Sequence, residues 1–213
     1  MSPQKLADEN DGTPGLTTRR NAMKAGAALA GAVALGGSAT GIAAANVGDI
    51  DTSPTEIFLE IDGIEGESRD HAHEGAIDVL AWSWGAANTG SMHQPRGGGA
   101  GRAEVRDLSV SKFVDKASPP LWQGVVSGKH FPSATLTVRK AAGDEPMEFL
   151  LIELENVLVR GIETSGTVTE QPIETISLNF ARFEITYTPQ EPDGTPGPQV
   201  GPVGWDIQRN EEV

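Results

Sequence analysis

The sequence predicts a mainly β fold with a single helix, and three observations carry that expectation. Short apolar runs rich in β-branched residues alternate with Gly, Pro and Asp; Gly and Pro supply 26 and 14 of the 213 residues; and only one segment carries both a start and a stop for a helix. Strands are expected over 57–61, 77–84, 105–110, 134–139, 148–155, 157–164 and 175–187. In the last of these the apolar face runs through Ile176, Leu178 and Phe180, then shifts by one to Phe183, Ile185 and Tyr187. That change of phase predicts a bulge near Ala181 and Arg182, the device by which a strand bends between the faces of a barrel. The helix is expected to begin with Ser118 as its cap and Pro119 and Pro120 in the first turn, and to end at Gly128. Leu121, Trp122, Val125 and Val126 form its apolar stripe, which about three turns of helix cannot bury alone. The stripe is therefore expected against the barrel or against a neighbouring subunit.

Residues 1–45 read as an address. Thr18-Arg19-Arg20-Asn21-Ala22-Met23-Lys24 precedes an Ala/Gly-rich run with no further charge before Asp49, an order that resembles a twin-arginine export signal. Arg19, Arg20 and Lys24 are its charged part, and Ala43 to Ala45 supply the small residues for cleavage near Ala45. Between Ala25 and Ala45 only Leu29, Val33, Leu35 and Ile42 are strongly apolar, too few for a permanent membrane span. The expected partner in export is the twin-arginine translocase, and the expected location is secreted or at the cell surface. A linker follows over 46–54, then one domain over 55–213 with a Pro/Gly-rich C-terminal segment.

Charge narrows the function further. Thirty acidic against 16 basic residues give a formal net charge of −14, which disfavours a nucleic-acid partner. Beyond residue 45 the only lysines are Lys112, Lys116, Lys129 and Lys140, and the carboxylates are dispersed, a pattern suited to a halophilic source. With no cysteine, thiolate metal sites, disulfides and Cys nucleophiles are excluded. His71 and His73 sit two apart without a further ligand in spacing, so they read as polar loop residues and no metal is expected. Glu60 and Asp62 read as solvated rim residues, and no hydrolase, protease or nucleotide-binding motif occurs, so neither an enzyme nor a cofactor is expected. Trp82 and Trp84 share one face of a strand; packing or a subunit interface is the expected role, with a carbohydrate-stacking platform as the alternative. Residues 90–101, with Met92, Arg96, Gly97, Gly98 and Gly99, have no apolar period and read as a long loop.

Several runs resemble one family. Ile57-Phe58-Leu59-Glu60-Ile61-Asp62-Gly63-Ile64-Glu65-Gly66-Glu67-Ser68, Ile77-Asp78-Val79-Leu80-Ala81-Trp82-Ser83-Trp84-Gly85 and Asp115-Lys116-Ala117-Ser118-Pro119-Pro120-Leu121 are similar to the Hcp family, the tube protein of type VI secretion. The likeness continues through Gly128-Lys129-His130, Ser177-Leu178-Asn179-Phe180 and Gly204-Trp205-Asp206-Ile207. The resemblance implies a non-enzymatic β-barrel of two sheets with a lateral helix, closed as a hexameric ring, with rings stacked into a hollow tube that can carry small protein cargo. It also implies that the loop over 90–101 projects from the ring and serves stacking. A chain exported one copy at a time cannot first polymerise in a cytoplasmic sheath, so the signal and the resemblance together imply a tube or filament built outside the membrane. The alternative is a secreted effector or cargo carrier of a type VI-like apparatus.

Overall fold

A computed structural model of the chain describes residues 55–88, 103–142 and 145–213, all within one unit that runs from Ile50 to Val213. Its strands are β1 (Thr55–Ile61), β2 (Ile77–Ser83), β3 (Ala86–Asn88), β4 (Ala103–Val105), β5 (Leu108–Phe113), β6 (His130–Ala142), β7 (Glu145–Ser165), β8 (Ile173–Asn179), β9 (Arg182–Tyr187), β10 (Val200–Asp206) and β11 (Glu211–Glu212), and α1 (Ser118–Ser127) is its helix. Six strands close a barrel in the order β7, β6, β1, β2, β5, β8, with β8 returning to β7, and every pairing is antiparallel. From β7 the same sheet continues outward through β9, β10 and β11, while β3 and β4 form a separate hairpin. The core is made of inward-facing residues from the six barrel strands, among them Leu59, Ile77, Val110, Leu136, Leu154 and Ile176.

Changes of phase shape these strands. In β7 the buried positions include Ile152 and Leu154, then Val157 and Val159. Asn156, at φ 55°, sits at that change of phase and a register shift against β8 follows between Val159 and Gly161, so the two strands expected over 148–155 and 157–164 are one strand of 21 residues. β2 slips likewise: its pairing with β5 shifts between Val79 and Ala81, and the inward face passes from Ile77 and Val79 to Trp82. The strand expected over 175–187 bends where its apolar face changes phase, as β8 and β9 separated by Phe180 and Ala181. At that bend the Ala181 N–H donates to the Glu155 carbonyl at 3.1 Å.

Other expectations need correction. The run over 105–110 is not one strand, because Arg106 and Asp107 divide β4 from β5. Asp107 accepts from the Asn179 amide at 2.7 Å and the Ser177 hydroxyl at 3.2 Å, while the Arg106 carbonyl accepts from the Trp84 indole at 2.8 Å. The Pro/Gly-rich C-terminal segment holds β10, whose glycines and Pro202 conceal a strand pattern.

The helix is correctly placed and differently capped. Ala117 is its cap residue and makes no side-chain cap bond, whereas Asp115 turns the chain into the helix by accepting from the Ala117 N–H at 2.9 Å. Gly128, at φ 64°, ends it in the left-handed region. Ser118 points inward, where its hydroxyl accepts from the Asp115 N–H and donates to Glu174. Leu121 is buried on the barrel, and Gly124 allows the close approach, since a Cβ there would stand 3.1 Å from the Phe131 ring.

The anchor of the helix is ionic. Lys112 on β5 and Glu174 on β8 are direct cross-strand partners and both are buried. The Lys112 ammonium donates to the Phe113 carbonyl at 2.7 Å, Asp115 at 2.8 Å, Ser118 at 3.1 Å and Glu174 at 3.2 Å, so all three of its protons have acceptors. Burial pushes the Glu174 carboxyl up, but hydrogen bonds from Ser118, Lys112 and Thr164 outweigh it and hold the group below its ordinary range. The stabilisation is therefore present above the unfolded carboxylate range and is lost as pH falls through the depressed folded value. Lys112→Met should cost about 3–5 kcal/mol in chemical unfolding at neutral pH, because it strands a buried carboxylate. The pair Lys112→Met with Glu174→Leu should recover most of that loss and weaken the acid sensitivity of the melt; a double variant no better than the single would show that the ion pair is not the anchor.

Candidate functional site

Among the described residues the exposed apolar side chains fall on separate elements. On α1 the expected stripe divides: Leu121 faces the barrel, while Trp122 is 43% and Val126 79% exposed. The Trp122 indole donates to Glu174 at 3.4 Å, which ties an outward ring to the buried anchor. Beside it Phe113 and Ile173, direct partners on β5 and β8, are also exposed. On the sheet extension Val200, Val203 and Tyr187 are exposed, with Val200 and Tyr187 directly paired. An apolar groove of about 680 Å³ lies between the β3–β4 hairpin and the β9–β10 pair, lined by Val105, Phe183, Val203 and Trp205 among others.

Trp82 and Trp84 are both half-buried against the core. Trp84 meets Phe183 edge-on at 4.9 Å and Phe180 at 5.7 Å, which sets its ring at the joint between the hairpin and β9. Asn88 and Ala103 are paired, so the hairpin presents the intervening loop from adjacent ends. Met92, Arg96, Gly97, Gly98 and Gly99 lie outside the described residues, as do Arg19, Arg20, Lys24, Ala43, Ala45 and the linker over 46–54. No helix among the described residues is long and apolar enough to cross a membrane.

A charged cluster that the sequence reading missed covers the opposite face of β1. Both Phe58 and Leu59 are buried, which simple alternation does not allow: Leu59 faces the core, and Phe58 lies under the connection from β1 to β2. His73 of that connection stacks on the Phe58 ring at 4.3 Å and 16°. Its Nδ1 stands 3.0 Å from Glu60 Oε1 and its Nε2 3.1 Å from Glu148 Oε1. Arg139 on β6 lies 4.9 Å from the same ring and donates to Asp70 and to Glu56, the latter from Nη2 at 2.7 Å. His73 is thus not a hydrated loop residue, whereas Glu60 and Asp62 are exposed. His71 remains exposed, and the two nitrogens of His73 aim at different carboxylates rather than with His71 at one cation. The signal was present in the register, since Arg139 stands directly across from Glu56.

Comparison with known proteins gives the family. The profile described as "Type VI secretion system effector, Hcp" matches residues 58–187. The protein described as "Protein hcp1" from Pseudomonas aeruginosa is 46% identical over 158 residues, covering 73% of this chain and 96% of that protein. Among solved structures, one described as "Structure of a type six secretion system protein" matches with a TM-score of 0.72 and 31% identity over 75% of this chain and all of the other. Hcp1 from Salmonella typhimurium matches with a TM-score of 0.60 and 34% identity over 75% of this chain and 99% of that one. These relatives are secretion components, not enzymes. The chain belongs to the Hcp family of type VI secretion proteins.

Proposed function

We propose that this chain is exported through the twin-arginine route, closes into hexameric rings, and stacks those rings outside the membrane into a tube or filament. The observation that carries the reading is the Hcp barrel itself, matched along nearly the whole length of its relatives. Apolar side chains exposed on α1 and, separately, on the β9–β10 extension support it, because a closed ring needs two different patches that meet head to tail. The paired ends at Asn88 and Ala103 support a loop offered outward as a unit. Negative-stain microscopy of the processed protein in high salt, with mass spectrometry of the culture medium, tests the proposal. Monomers in the medium and no rings would favour the second reading, a secreted effector or cargo carrier, which the description of the matched family supports.

Replacing Arg19 and Arg20 by Lys should trap full-length precursor in the cell. Undiminished extracellular protein would remove the export reading. Assembly should also depend on salt, since a charge of −14 per chain is multiplied in a ring. Light scattering should show rings separating as salt falls from about 2 M to about 0.1 M, and rings that persist unchanged would remove the halophile argument.

The loop should govern stacking rather than folding. Replacing residues 90–101 with a Gly-Ser turn should shift the melting temperature by less than about 2 °C and leave rings intact while long tubes disappear. Met92→Asp and Arg96→Glu separate its apolar and charged contributions, each shifting the product from tubes towards free rings. Long tubes without the loop would place the stacking surface elsewhere.

A further inference from the structure

We propose that residues 66–76 form a proton-operated strap, clasped onto the barrel when His73 is an imidazolium between Glu60 and Glu148 and lifted from Phe58 when the ring loses a proton. Two ring nitrogens each face a carboxylate oxygen, at 3.0 and 3.1 Å, and a carboxylate can only accept. Only the charged ring has two N–H groups, so a neutral ring must turn one lone pair towards a carboxylate in a site where His73 is 7% exposed. At that end the backbone is held by the His73 N–H to Asp70 Oδ1 at 3.3 Å and the Ala76 N–H to the His73 carbonyl at 3.1 Å, so it is the ring that the clasp governs. The strap is tied internally, by Gly66 N–H to the Gly75 carbonyl at 2.7 Å, Ser68 N–H to the Ala76 carbonyl at 3.0 Å and Gly75 N–H to the Ser68 carbonyl at 3.0 Å. Gly66 is required by this closeness, since a Cβ there would stand 2.2 Å from the Ala76 carbonyl oxygen.

The other charged groups around the ring define the motion. Glu60 and Glu56 come from β1, Glu148 from β7, Arg139 from β6 and Asp70 from the strap itself. Arg139 shares the Phe58 ring with His73, and its own charge is met by Glu56 and Asp70. Hydrogen bonds from Arg139 hold the Asp70 carboxyl well below its ordinary range, so this second fastening does not titrate where histidine does. Asp70 also accepts from the Ala72 N–H at 2.9 Å. The backbone therefore stays pinned at Asp70, which also accepts from the His73 N–H at 3.3 Å, while the His73 ring swings off and uncovers Phe58. This device belongs to the single subunit and does not rest on ring formation.

Nuclear magnetic resonance on the isotopically labelled chain tests it. Two His73 ring N–H signals are expected at about pH 5.5 and one at about pH 8.5. Across the same range the protection of the Gly75 and Ser68 amides, corrected for intrinsic exchange, should fall about tenfold, as expected for losing one charge-assisted hydrogen bond. A single ring N–H at the acid end, or protection that does not change with pH, overturns the proposal. His73→Gln should show the low protection of the alkaline state at both ends; a variant that retains the pH dependence shows that another group is the sensor. Should that variant fail to fold, Glu148→Gln, at an exposed position, should move the midpoint of opening down by at least about half a pH unit, and an unmoved midpoint overturns the clasp.

Discussion

Because β7 runs for 21 residues without ending, it pairs along one edge with β6 and along the other with β8 and then β9, so one strand both closes the barrel and begins its extension. The continuity depends on Asn156, which sits with positive φ at the change of phase without stopping the strand. It also depends on the bend at Phe180 and Ala181, where the neighbouring strand leaves the barrel and joins the extension. Ala181 fixes that departure with both of its backbone groups, donating to the Glu155 carbonyl and accepting from the Ile207 N–H at 2.9 Å. The long strand is therefore shared by two sheet regions, and a slip in its register would turn core residues outward in both.

What was legible in the sequence was whatever rests on local chemistry. Gly128 ends the helix because few other residues accept a left-handed conformation, and the change of phase from Phe180 to Phe183 marks a bend because side chains alternate strictly along a strand. What was not legible rests on contacts distant in sequence. Ser118 has the chemistry of a cap, and only the position of Glu174, 56 residues away, turns its hydroxyl inward. β10 is concealed by Gly201, Pro202 and Gly204, and it is a strand because β9 offers it an edge. His73 looked like a surface residue because the aromatic beneath it belongs to β1 and one of its carboxylates to β7. Of the surfaces proposed for assembly, the loop was visible as an absence of pattern, whereas the division of the helix stripe into a buried Leu121 and an exposed Trp122 required the barrel to be in place.

The acidic composition makes the few interior cations informative. Lys112 is wholly enclosed with its acceptors, and it joins β5, β8 and the start of α1 at one point. Arg139 instead lies along a sheet face and uses its planar fork on Glu56 and Asp70, carboxylates from two segments that no backbone bond joins. Both are places where a dispersed negative charge is drawn into a defined contact. The two differ in their exposure to solvent conditions: the enclosed ammonium is shielded from added salt, while the Glu56 partner of Arg139 has a side chain 58% exposed.

Closure of the barrel also restricts how copies of this chain can meet. Among the described residues β8 returns to β7 in the nine-stranded sheet, so its order ends at the β10–β11 edge. Only Trp205 and Asp206 of β10 are covered by β11, and in the uncovered part Pro202 has no N–H to offer a further strand. Strand addition from another copy would therefore meet a broken ladder there. Side chains are better suited to the contact, since Val200, Val203 and Tyr187 stand exposed on the extension, while Trp122, Val126, Phe113 and Ile173 stand exposed around the helix. A closed ring repeats the same unlike contact between two such patches at every junction. In the proposed ring the closed barrel thus supplies rigidity, and the choice of partner falls to side chains on its flanks.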